Sequence, residues 1–158
     1  MGYTDPTGKM FGFRIFRTRI INDSIIPVEL TINFPCDSVA MLPKSDSYVR
    51  VFLFPRSMTP DEQEEVFNYG VRGTESFLDT GLTKPTALKT TIKSKEDYIL
   101  YIGALFYPTA GRTIAKLFFN GQDLEYRIKV YGAHPPLSAT DLALDSALLS
   151  CGQIVFKK

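Results

Sequence analysis

The chain has no tryptophan, one histidine and two cysteines in its 158 residues. Each scarcity narrows the possible functions. A zinc or iron site built on imidazoles needs more than His134 alone. His134 lies in the Pro-flanked stretch Ala133-His134-Pro135-Pro136 and reads as a loop residue. A Ser-His-Asp triad, or a thiol nucleophile at Cys36 or Cys151, would have to use that same histidine as its base. No G-x-S-x-G elbow and no P-loop occurs, which removes two recognisable catalytic turns. Cys36 and Cys151 lack CxxC spacing and read as free thiols buried in the core. A disulfide between them remains the alternative for an exported chain. Without tryptophan, a sugar-binding platform falls to tyrosine and phenylalanine alone.

An excess of one charge sign is also missing. Eighteen Lys+Arg against 17 Asp+Glu give a net charge of +1. Nucleic-acid binding rests on clustered cations, and the densest basic stretch, Arg14, Arg17 and Arg19, is short. No nucleic-acid partner is expected. The longest apolar run, Ile99 to Tyr107, is about half of what a membrane helix needs, so no membrane span is expected. The start, MGYTDPTGKM, shows no basic segment followed by an apolar one. The chain reads as cytoplasmic, or as a mature exported domain.

What is present points to strands. The apolar fraction is 44% and the charged fraction 22%, with 12 Phe and 8 Tyr. That balance suits one soluble globular domain, and its aromatic content suits a pleated surface. Ile26 to Phe34 alternates cleanly: Ile26, Val28, Leu30, Ile32 and Phe34 share a face, as in a strand with one buried side. Phe11 to Ile21 changes phase, which a β-bulge near Ile15-Phe16 would reconcile. Asn22-Asp23-Ser24 reads as a turn. Tyr48 to Phe54 and Thr86 to Ile92 are further strands. Tyr98 to Phe106 is apolar at both parities, as expected of a central strand covered on both faces.

One helix is predicted over about Pro60 to Tyr69. Thr59-Pro60-Asp61-Glu62 supplies an N-cap, a proline at the first helical position and a capping acid. Asp61, Glu62, Glu64 and Glu65 suit the positive end of the helix dipole, which explains this crowd of carboxylates without catalysis. Gly73 to Gly81 holds one further turn.

Asn120-Gly121 is a preferred pair for a two-residue hairpin loop. The register that follows sets Leu117 opposite Leu124, Ala115 opposite Tyr126, Lys116 opposite Glu125 and Ile114 opposite Arg127. Ser138 to Leu149 reads either as a helix capped by Ser138 and Asp141 or as a loop. Asp141 and Asp145 would serve as calcium ligands, but no EF-hand spacing surrounds them. Gly152 to Lys157 is the last strand, carrying Ile154 and Phe156.

Seven or eight strands in blocks, with no βαβ alternation, predict an all-β fold: a two-layer antiparallel β-sandwich with one short inserted helix. Jelly-roll and immunoglobulin-like topologies both fit. The excursion at about 56–85 is longer than a minimal sandwich needs, and such loops tend to be functional. The first functional reading is therefore a non-catalytic binding or protein-interaction module. Its candidate ligand-binding residues are Asn68, Tyr69 and Arg72 in the excursion, and Tyr107 and Arg112 in the following loop. Its partner would be a protein, a peptide strand, a small molecule or a sugar.

The second reading is a self-assembling structural subunit. Tyr48, Phe52, Phe54, Ile114 and Phe118 would form a second apolar face covered by another copy. The third is a hydrolase using dispersed carboxylates or His134. No catalytic residue, metal or cofactor is assigned.

Overall fold

A computed structural model describes residues 2–42, 46–54, 74–108, 112–131 and 145–157. Ten strands are seen among them: β1 (Gly2–Thr4), β2 (Met10–Ile21), β3 (Val28–Phe34), β4 (Val39–Ala40), β5 (Tyr48–Leu53), β6 (Thr86–Ile92), β7 (Asp97–Tyr107), β8 (Thr113–Asn120), β9 (Asp123–Val130) and β10 (Asp145–Phe156). The first sheet has the order β1-β2-β7-β5-β4, and the second β6-β3-β10-β9-β8. Every pairing is antiparallel. The fold is an all-β sandwich. The strands beyond the expected seven or eight include β1 and β4, which are too short to leave a periodic signal.

The core lies between the sheets. Val28, Leu30, Ile32 and Phe34 of β3 meet Val49, Val51, Leu100, Ile102 and Phe106 of the first sheet. The alternation of β3 is thus the alternation of core and solvent. The first sheet is buried on its other face as well. Helix α1 (Thr74–Thr80) and the 3₁₀ turn Gly81–Thr83 lay Phe77, Leu78 and Leu82 over Phe13, Phe52 and Leu105. The Tyr3 hydroxyl donates to Asp79 Oδ1 at 2.5 Å, tying β1 to that cover.

This second core explains two departures from the sequence reading. The expected bulge at Ile15-Phe16 is absent: β2 pairs with β7 without a break from Gly12↔Phe106 to Ile21↔Asp97. Both parities of β2 find apolar surroundings, Phe13 and Ile15 outside and Phe16 and Ile20 within, so no phase change is needed. The further turn expected at 73–81 is a helix, and its role is to cover this face. The helix predicted at Pro60–Tyr69 lies outside the described residues.

The β8–β9 hairpin forms, with its loop one residue later than expected. Asn120 pairs with Asp123, and Gly121 and Gln122 make the turn. Gly121 has φ +66, while Lys95 is the single non-glycine with positive φ among the described residues. Glycine first and an ordinary residue second is the type II′ arrangement. The faces are unchanged, because the register moves by two. The partners differ: Leu117 meets Tyr126, Lys116 meets Arg127, and Ile114 meets Lys129. Gly121→Val should cost about 1–2 kcal/mol through backbone strain alone, since a Cβ there meets nothing within 4 Å. Asn120→Ala, now a paired strand position, should stay within about 0.5 kcal/mol. Chemical denaturation distinguishes the two, and equal losses would restore the Asn120-Gly121 loop.

The segment left open as helix or loop is strand from Asp145 onward; positions 138–144 lie outside the described residues. The register of β10 against β9 shifts between Ser150 and Gly152. Cys151 is the extra residue of a bulge there. Ala147, Leu149 and Cys151 are buried before it, and Ile154 packs on the core after it. The inward parity switches from odd to even at the bulge. Both cysteines are free, but only Cys151 is buried as expected; Cys36 is half-buried. Burial pushes the Cys151 thiol up to about 12.

Candidate functional site

Among the described residues, the first sheet carries a partly open strand edge. β5 pairs with β7 only as far as Leu53↔Ile102, and Phe54 N–H donates one bond beyond it, to the Tyr101 carbonyl at 3.0 Å. The backbone groups of a strand alternate sides. Ile99, two residues before Tyr101, therefore turns its N–H and C=O to the same side. Among the described residues no strand takes them up. Across the gap runs β6, the border strand of the second sheet, paired to β3 on one side alone among the described residues.

Between these two edges lies a groove of about 350 Å³. Phe54 and Phe77 form one wall, Thr86, Ala87 and Leu88 of β6 the other, and Tyr98 to Tyr101 the floor. One end is tied across the sheets by Leu53 N–H donating to Thr86 Oγ1 at 2.9 Å. The exposed lining is about equally polar and apolar. The polar groups of the floor include main-chain amides, and together they suit an extended chain better than a compact charged ligand.

The candidates read from the sequence fall in different places. Asn68, Tyr69 and Arg72 lie outside the described residues, as does His134. Tyr107 and Arg112 sit on different sheets. The Tyr107 ring is already engaged: Lys9 Nζ stands 3.9 Å from its centroid, and Tyr48 stacks on it at 5.2 Å. Phe11 meets Tyr107 edge-on at 5.8 Å. Lys9 also donates to the Tyr48 hydroxyl, a bond that raises the lysine's pKa. A cation thus fills this aromatic cluster from within the chain. Arg112 is exposed, and its carbonyl accepts the Tyr131 N–H at 2.8 Å, extending the β8–β9 ladder.

Of the five residues proposed as a second apolar face, Phe52 is fully buried. Phe54 packs against Phe77, and Tyr48 belongs to the Lys9 cluster. Phe118 remains 37% exposed on the other sheet.

Sequence reasoning missed the groove, because its distinguishing groups are main-chain ones that no residue type reveals. It also missed Arg50. Burial lowers the pKa of this guanidinium, and its Nε and one Nη have no hydrogen-bond partner among the described residues.

Among the described residues no three His, Cys, Asp or Glu side chains gather as a metal site would require. No described helix is long and apolar enough to cross a membrane. No protein-family model matches this chain, and neither a curated protein nor a solved structure matches it.

Proposed function

We propose that this domain is a non-catalytic binding module that captures an extended peptide segment in the β6–β7 groove by adding it as a strand. The observation that carries this reading is the Ile99 edge of β7, facing a groove bordered by the outer edge of β6, neither of them paired to a strand among the described residues. Main-chain bonds to Ile99 would supply affinity irrespective of sequence. The recess between Phe54 and Phe77 would select an apolar or aromatic side chain at alternate positions. Lysine at position 89 of β6 fits the usual protection of a border strand against indiscriminate pairing.

The test is an amide-shift titration of ¹⁵N-labelled protein with a panel of short peptides rich in valine, threonine and phenylalanine. The largest shifts are expected at Ile99 and Ala87. Ala87→Arg should abolish them while leaving the fold intact, because Ala87 is exposed and its replacement touches no core residue. Shifts scattered away from the groove, or equal binding by Ala87→Arg, would end this reading. Self-association through the same edges would appear instead as concentration-dependent shifts without peptide.

A further inference from the structure

On the outer face of the second sheet, the β8–β9 register makes three successive cross-strand rows: Ile114 with Lys129, Lys116 with Arg127, and Phe118 with Glu125. Residues opposite one another lie about 5 Å apart at Cβ, and diagonal neighbours about 7–8 Å. Lys116, Arg127 and Lys129 therefore form one compact triangle of positive charge. Among the described residues none of the three forms an ion pair. Glu125 stands in the next row and is not joined to them. Like charges directly opposite destabilise a sheet, so the Lys116–Arg127 pair works against the fold that holds it.

The triangle lies in a concavity of about 220 Å³ with Ile114, Phe118 and Tyr131 around it. The Arg127 guanidinium lies over the Phe118 ring, 4.7 Å from its centroid. A stacked guanidinium keeps its N–H edge available for an oxyanion.

We infer that this basin binds a small aromatic phosphate monoester. The phosphate, with nearly two negative charges and three terminal oxygens, matches three converging cations better than a carboxylate does. The ring has Ile114 and Tyr131 to rest on. This site is independent of the β6–β7 groove and lies at the opposite border of the second sheet from β6.

The test is calorimetric titration with phenyl phosphate, inorganic phosphate and benzyl alcohol. Phenyl phosphate should bind about tenfold or more tighter than inorganic phosphate, with affinity falling as salt rises, and benzyl alcohol should not bind. Lys116→Gln combined with Lys129→Gln should weaken phenyl phosphate by at least about tenfold, as expected when charged hydrogen bonds are lost. Without ligand, Lys116→Gln should melt at or above the native temperature, since it removes a like-charge pair; this also shows that the variant is folded. Equal affinity for the two phosphates, undiminished binding by the double variant, or no binding at all would each overturn the assignment.

Discussion

Gly152→Ala is expected to lower stability by roughly 3 kcal/mol or more, a large share of the ~5–15 kcal/mol that a domain possesses. Two costs combine. Gly152 has φ +149, a region that side-chain-bearing residues rarely enter. A Cβ at this position would also stand 1.8 Å from the Thr31 carbonyl oxygen and 2.8 Å from its carbon. Thr31 lies in β3, which is held by β10 on one side and β6 on the other, so its backbone has nowhere to retreat. The bulge exists to turn Ile154 inward after Cys151, and Gly152 is the residue that lets two backbones approach at that point. Urea denaturation gives the cost directly. A loss below about 1 kcal/mol would mean that β3 yields and that the bulge is not fixed where it stands.

The second large effect is expected at Asn22, which is 4% exposed. Its Nδ2 donates to the carbonyls of Ile26 at 2.8 Å, Ile92 at 3.0 Å and Lys93 at 3.1 Å. Its Oδ1 accepts from the Ser24 hydroxyl at 2.6 Å and the Ser24 N–H at 3.1 Å. Its own N–H and C=O bond to Glu96 and Lys95. One residue, through side chain and backbone, therefore joins the end of β2, the start of β3, the end of β6 and the approach to β7. Asn22→Asp removes the donors and turns a carboxylate toward three carbonyl oxygens. At neutral pH the expected cost is about 3–5 kcal/mol, that of a buried charge without a partner.

The pH dependence identifies the cause. The folded variant holds this carboxyl above its unfolded pKa of about 3.9. Its destabilisation is therefore full at neutral pH and shrinks as pH falls through the raised value, because the protonated acid can donate one bond. Denaturation midpoints of variant and native protein, compared at pH 7 and near pH 4.5, cancel the other titrating groups. A pH-independent gap would mean that shape, rather than charge, sets the loss.

Asn22 also marks how far the sequence could be read. Asn22-Asp23-Ser24 is legible as a turn, because these side chains bond to nearby backbone. That the same amide reaches Ile92 and Lys93, some seventy residues away, is a tertiary fact with no local signal. The hairpin shows a similar boundary. Alternation of period two places Leu117, Leu124 and Tyr126 on the buried side in either register, so the face pattern tolerates a shift of two. Charge pairing favoured the register in which Lys116 meets Glu125. The protein adopts the other, with Lys116 against Arg127. The two-sided burial of Tyr98–Phe106 was readable, whereas its cover by Phe77 and Leu78 was not. Face patterns say that a surface is buried, and not by which segment.

The position of β10 bears on synthesis. The last strand described, Asp145–Phe156, sits in the middle of the second sheet, between β3 and β9. On the ribosome, β3–β6 and β8–β9 emerge as two separate ribbons. Each waits with an apolar face and an unsatisfied edge until Phe156 clears the exit tunnel. Closure of this sheet therefore waits for β10 to emerge, and during that interval the nascent chain has the greatest need of a chaperone.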